Sequence, residues 1–384
     1  MTASPTLAIA RLTLTEFRNY RDLRLETHAR LIALTGANGA GKTNVLEAIS
    51  LLAPGRGLRG APFEELARQD GPGGWAIAAG IEAPHGHVSA GTAWGCQPDA
   101  GDGGARAVVI DGQAQKGSGA LGEHMRLLWL TPAQDRLFAG PASDRRRFLD
   151  RLVAASDPEH ASRILVFEKV MRERNLLLAG TRPDAAWLAG LEAQMAEAAV
   201  AISAARLVGL EALQTHIGEG RAASSFPWAE VAVEGEIEAL IAEKPAVQVE
   251  DEYRRILSDS RGIDRAAGRT LRGPHRIDLA VVHGPRAMSA GQCSTGEQKA
   301  LLIGLILAQA RAVKAGAGVA PVLLLDEVAA HLDRARRRSL LEALAALGSQ
   351  SWMTGTDAQL FEAIGDAGAV FHVEDGLVRE VMER

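Results

Sequence analysis

The sequence predicts an α/β fold into which a mainly helical lobe is inserted. Three observations carry this prediction. The apolar run Leu31–Leu34 reads as a buried strand that ends in a glycine-rich turn, Gly36–Gly41, and passes into a helical stretch, Thr43–Leu52. A second apolar run, Val322–Leu325, ends in two adjacent carboxylates, Asp326 and Glu327, the first of them 283 residues after Thr43. Between these points, from about 141 to 260, the chain turns rich in Ala, Leu, Glu and Arg and keeps helical spacing with few breakers, most clearly over residues 185–217.

The remaining elements follow in order. Leu7, Ile9, Leu12 and Leu14 alternate as a first strand, and Leu23 and Leu25 mark a second. Residues 75–130 hold short alternating segments (WAIAAGIEA, HVSAGTAW, AVVIDGQ) that read as antiparallel hairpins, with Asp111-Gly112 as a turn. The glycine loop Asp99–Gly104 lies among them. The α/β character returns at about 271, with a helix over Leu301–Ala315, the strand Val322–Leu325, a helix over Arg334–Leu347 and short strands at Ser351–Thr354 and Val370–Val373. Residues 1–130 plus 271–384 are thus expected to form the α/β lobe and 131–270 the inserted helical domain. No internal repeat is visible.

Composition narrows the class. A chain of 384 residues with 47% hydrophobic and 23% charged residues is long enough for a large core and is that of a soluble globular protein of two or three domains. The longest apolar stretches, such as Leu301–Ala308, fall short of the roughly 20 residues of a membrane helix, so no membrane partner is expected. The N-terminus lacks a basic start followed by an apolar run, so no secretion signal is expected. Two cysteines, Cys96 and Cys293, cannot build a disulfide framework and suit a reducing, cytoplasmic setting.

The chemistry concentrates in three places. Gly36-Ala37-Asn38-Gly39-Ala40-Gly41-Lys42-Thr43 matches GxxxxGK[ST] between a predicted strand and a predicted helix. Glycines let backbone N–H groups converge on phosphates, and the following helix presents its positive end. Lys42 is placed to contact the β and γ phosphates of ATP and Thr43 to hold Mg²⁺. At the end of the second strand, Asp326 is placed to hold Mg²⁺ through water and Glu327 to orient or deprotonate the attacking water. A solvated acidic turn would look the same in isolation; the phosphate loop in the same chain favours the catalytic reading. Asp333 precedes a helix and suits an N-cap, which is compatible with a place at a dimer contact. The third place is Cys293-Ser294-Thr295-Gly296-Glu297-Gln298-Lys299. Ser294 and Glu297 have the spacing of a capping box. The segment also resembles the signature of ATP-binding-cassette (ABC) proteins, in which a serine and a glycine at a helix start, here Ser294 and Gly296, contact the γ-phosphate held by a second subunit.

Taken together these pieces resemble the RecF family of bacterial DNA-repair proteins, relatives of the SMC (structural maintenance of chromosomes) ATPases. Phe17-Arg18-Asn19-Tyr20 is similar to that family's FRNY element, and Gly41-Lys42-Thr43-Asn44-Val45-Leu46-Glu47-Ala48-Ile49 to its GKTNLLEAI. Gly55–Arg59 sits where the family carries an arginine-containing turn. Gly140-Pro141 with Arg145–Asp150 resembles GxP…RRxFLD, and Gly273–Leu279 resembles GPHRDDL, with Ile277 in place of an aspartate. The resemblance implies an ABC-type (P-loop) ATPase lobe that runs from both chain ends, with Arg18 and Asn44 among the nucleotide contacts. It places Gln134 as the Mg²⁺-linked glutamine of a Q-loop. No histidine follows the strand beyond the carboxylates, and Thr356 stands as the γ-phosphate sensor.

The resemblance also implies the output. An ATP-dependent homodimer with slow, DNA-dependent ATP hydrolysis would bind double-stranded DNA at junctions with single strands. It would act with RecR and RecO to help RecA load, in recombination, replication and the SOS response. An SMC-like ATP-gated chromosome-organising scaffold is the alternative; about 130 inserted residues without long heptads argue against it. A nuclease ATPase would need an acidic metal cluster apart from Asp326 and Glu327, and none stands out.

Residues 254–276 contain seven arginines against two aspartates, and Arg254, Arg255, Arg261, Arg265 and Arg269 are the expected DNA contacts. The groups Arg145–Arg147 and Arg334, Arg336, Arg337, Arg338 are also basic. Only 4% of residues are aromatic, which favours contact with the duplex backbone over base stacking. His85, His87 and Cys96 lack a fourth ligand at zinc spacing.

Overall fold

The computed structural model describes residues 7–96, 105–221, 225–330 and 332–381; the predicted glycine loop Asp99–Gly104 lies outside them. The chain divides into two units, residues 1–135, 219–227 and 295–384 in one and residues 136–218 and 228–294 in the other.

The first unit opens with β1 (Ala8–Phe17) and β2 (Tyr20–Glu26), then β3 (Leu31–Thr35), the phosphate loop and α1 (Lys42–Ser50). The alternation read from the sequence holds, because Ile9, Leu12 and Leu14 bury one face of β1. β4 (Trp75–Ala83), β5 (Gly86–Trp94), β6 (Ala107–Ile110) and β7 (Gln113–Ala114) are the expected hairpins. The turn between the last two has positive φ at both Asp111 and Gly112, as a tight hairpin requires. These strands form an antiparallel sheet in the order β2-β1-β4-β5-β6-β7. A short helix, α2 (Leu121–His124), leads to β8 (Leu127–Leu130).

The second unit carries α3 (Ala142–Ser156), α4 (His160–Ala179) and most of α5 (Ala185–Gly220). These are followed by β9 (Ala229–Glu234), α6 (Glu236–Glu243), α7 (Ala246–Asp259), α8 (Arg261–Ala267), β10 (Asp278–His283) and β11 (Met288–Ser289). Its core joins Phe167 and Val170 of α4, Met195 and Ala199 of α5, and Tyr253 and Leu257 of α7. Buried Arg174 ties the helices together, donating to Glu192 at 3.0 Å, Asp264 at 2.8 Å and Thr270 at 2.9 Å. Two features differ from the sequence expectation. The unit contains a three-stranded sheet, β11-β10-β9, and it ends at residue 294 rather than near 271. The reason is pairing: β10 runs antiparallel to β9 from Asp278↔Glu234 to His283↔Ala229, which commits the segment after 271 to this unit.

The chain then forms α9 (Thr295–Ala317), β12 (Val322–Leu325), α10 (Arg334–Leu347), β13 (Ser351–Gly355), a 3₁₀ segment (Ala358–Ala367), β14 (Gly368–Glu374) and β15 (Leu377–Glu380). By length and composition α9 is apolar enough to cross a membrane, which the shorter runs read from the sequence had not suggested. With 67% of its apolar window buried, it is a core helix here, packed against β8 and α10. A second sheet has the order β15-β14-β3-β13-β12-β8, parallel except for β15. The carboxyl ends of β3, β13, β12 and β8 therefore share one edge, the edge at which parallel α/β sheets bind ligands.

Candidate functional site

The phosphate loop leaves β3 through Gly36, whose φ of 141° and lack of a side chain let Val373 approach; a Cβ there would meet the Val373 carbonyl at 2.2 Å. The loop is braced from outside. Asn19 donates to the Ala40 carbonyl at 3.1 Å and accepts from Asn44 Nδ2 at 2.8 Å, and the Tyr20 hydroxyl donates to the Gly41 carbonyl at 3.0 Å. The Phe17–Tyr20 element is thus a clamp on the loop. Arg18, expected as a nucleotide contact, is engaged with an acid of α1. Its guanidinium donates twice to buried Glu47 of α1, at 2.9 Å each, and Arg59 meets the same carboxylate at 2.6 Å. The arginine turn at 55–59 and the FRNY arginine converge on one acid beneath the loop.

Lys42, 5% exposed, donates to the carbonyls of Gly36 and Ala37, both at 2.7 Å. Burial pulls its ammonium below the usual lysine range, and the carboxylates of Glu327 and Asp326 oppose that pull. Thr43 Oγ1 donates to Asp326 Oδ1 at 2.9 Å, so the two predicted metal-holding residues meet. A hydroxyl and a carboxylate together are the hard oxygen donors that suit Mg²⁺.

The carboxylates are held by residues that the motif reading passed over. Thr354 of β13, fully buried, donates to Asp326 Oδ1 at 2.7 Å and accepts the Glu327 N–H at 2.8 Å. Lys299 of α9 donates to the Glu327 carbonyl at 3.0 Å and lies 3.7 Å from Asp135. Glu327 itself sits at φ 49°, a left-handed conformation that non-glycine residues rarely adopt. Thr356, the expected sensor, is exposed just past β13; the threonine at the carboxylates is Thr354. Gln134 follows β8 on the same edge, but its Oε1 accepts the Thr131 N–H at 3.0 Å, so the side chain expected at the metal closes a capping box. Ser294, Thr295 and Gly296 are exposed at the start of α9. Asp333 caps α10, accepting from the Arg336 N–H at 2.8 Å.

The basic groups separate. Arg145 is bidentate to Asp278 at 2.7 and 2.6 Å, and Arg206 is bidentate to Asp150 at 2.8 and 3.0 Å while donating to the Pro274 carbonyl at 2.8 Å. The RRRFLD and GPHRIDL motifs therefore form a structural clasp. Among the expected DNA contacts, Arg261 binds buried Glu192 at 2.9 and 2.5 Å, Arg254 pairs with Asp251, and Arg265 donates to the Gly180 carbonyl at 3.0 Å. Arg255 and Arg269 are exposed.

A family model described as RecF/RecN/SMC N terminal domain matches residues 8–379. The DNA replication and repair protein RecF of Mesorhizobium japonicum is 50% identical, over 96% of this chain and 97% of the relative. The chain belongs to the RecF family. The RecF of Rhizobium leguminosarum is 49% identical over 97% of the chain and 99% of its own length. A solved structure of the recombination mediator protein RecF with ATP, in the RecFOR pathway, superposes with a TM-score of 0.86 at 23% identity, covering 99% of each chain. An SMC head from Pyrococcus furiosus gives 0.53 at 17% identity, over 98% of this chain and 96% of that one. The fold is that of the ABC-type ATPase heads shared by RecF and SMC proteins.

Proposed function

We propose that this RecF-family chain is an ATP-driven recombination-repair mediator whose two copies close over two molecules of ATP with Mg²⁺. In this reading the loop Gly36–Lys42 and Asn44 hold the phosphates, and Lys42 contacts the β and γ groups. Thr43 and Asp326 are the residues that would hold Mg²⁺, which would neutralise phosphate charge. Ser294 and Gly296 of a second copy complete the γ-phosphate shell from a helix N-terminus. Glu327 orients the attacking water and supports slow, DNA-dependent hydrolysis that releases the dimer. The closed dimer holds duplex DNA at junctions with single strands and, with RecR and RecO, helps RecA load, in the cytoplasm.

The observation that supports this reading best is the 2.9 Å hydrogen bond between Thr43 and Asp326, 283 residues apart in a chain about half identical to RecF proteins. The test is sedimentation with and without ATP and gapped duplex at two salt concentrations, on the wild type and Lys42→Ala. ATP should convert the wild type to a DNA-bound dimer and leave the variant monomeric. Dimers in the variant, or wild-type monomers with ATP, would overturn the proposal.

A further inference from the structure

Between α10 and the segment Ala358–Ala367 the first unit carries an open groove of about 650 Å³. One wall is a single helical face: Arg334, Arg337, Arg338 and Leu341 stand at positions i, i+3, i+4 and i+7 of α10. The other wall presents Gln359, Leu360, Glu362 and Ala363. Three guanidinium groups face one carboxylate. The ion pair between Arg334 and Glu362 is 3.9 Å long with side chains 83% and 64% exposed, too loose and wet to neutralise the wall. Arg337 Nε is shielded from water and has no hydrogen-bond partner among the described residues.

We propose that the groove is a docking site for an acidic, amphipathic peptide segment of a partner protein. Its carboxylates pair with Arg337 and Arg338, and an apolar side chain rests on Leu341, Leu360 and Ala363. Charge complementarity sets the sign of the occupant, and the apolar surface sets its class. A DNA duplex offers phosphates on a convex rod and no apolar group for Leu341 and Leu360, whereas a segment alternating carboxylates with leucines meets both needs. Both walls follow in the chain from strands of the parallel sheet, α10 after β12 and the facing segment after β13.

The test uses the full chain and a fluorescein-labelled peptide of about a dozen residues alternating Asp or Glu with Leu, read by fluorescence anisotropy. A matched peptide with Ser for Leu and a labelled duplex are measured in parallel. The leucine peptide is expected to bind at least about tenfold more tightly than the serine peptide, and Arg337→Glu with Arg338→Glu should weaken it at least about tenfold with duplex affinity held. Arg338→Glu alone, at an exposed position that folding tolerates, should weaken it in the same direction. Equal binding of the two peptides, no binding of the leucine peptide, or variants that lose duplex affinity while keeping the peptide would overturn the proposal.

Discussion

Thr354 joins Asp326 and Glu327 through one hydroxyl: it donates to Asp326 Oδ1 at 2.7 Å and accepts the Glu327 N–H at 2.8 Å. Replacing it with the near-isosteric valine leaves the Glu327 N–H without its acceptor and leaves Asp326 Oδ1 with Thr43 as its remaining donor. Such a loss costs about 1–3 kcal/mol. Thr354→Val should melt earlier, bind ATP within a few-fold of wild type and lose most of its single-turnover hydrolysis, and Thr354→Ser should recover it. A valine variant with wild-type turnover would reduce Thr354 to a packing residue.

Glu327→Gln keeps the side-chain volume and removes the base. ATP-dependent dimers should persist longer, with turnover reduced by about 10²–10⁴. Measured phosphate release at the wild-type rate would take the base role away from this residue.

Ser294 and Gly296 are exposed at the start of α9, where a second copy has access to them. Ser294→Arg should leave ATP affinity of the monomer unchanged and abolish ATP-driven dimers in size-exclusion chromatography. Dimers of normal stability in that variant would sink the trans arrangement.

The Asp278–Arg145 clasp predicts a pH signature. The hydrogen bond from Arg145 holds the Asp278 carboxyl below the usual carboxylate range. A depressed folded pKa contributes stability that is present above the unfolded value of about 3.9 and is lost as pH falls through the lower folded value. The melting temperature of wild type should therefore exceed that of Asp278→Asn at pH 7, with the gap closing below about pH 4. A gap that persists unchanged in acid would rule out the charge as its source.

The five arginines read as DNA contacts should behave unequally. Arg255→Glu and Arg269→Glu, at exposed positions, should weaken duplex binding, each neutralised phosphate contributing about 0.9 to the slope of log affinity against log salt. Arg261→Ala uncovers buried Glu192 and should lower the melting temperature instead. Salt titrations of duplex affinity and thermal melts distinguish the two classes; equal salt slopes across all three would contradict the division.

The sequence carried much of this in local patterns. The helix Arg334–Leu347 is legible to the residue because Asp333 caps its start and Gly348 ends it in a left-handed conformation. The strand, loop and helix at 31–50 are legible because apolar, glycine and helical runs adjoin. What escaped depends on register and on distant partners. Thr354 and Thr356 both flank Gly355, and only the place of β13 between β3 and β12 brings Thr354 to Asp326. Lys299 closes the Cys293–Lys299 segment with no role legible in its spacing, yet the packing of α9 buries it and turns it onto the Glu327 carbonyl. The strand β10 gives no sign of its partner, which lies across three intervening helices, so the end of the second unit is not legible in the sequence.

The clamp on the phosphate loop is built from Asn19, Asn44 and Tyr20, two amides and a phenol whose proton burial makes harder to remove. None of the three changes charge between pH 5 and 9, and none weakens with ionic strength as an ion pair would. These three contacts thus brace the loop without an ion pair, and the charged group of Arg18, Glu47 and Arg59 beneath it is the part that salt can loosen.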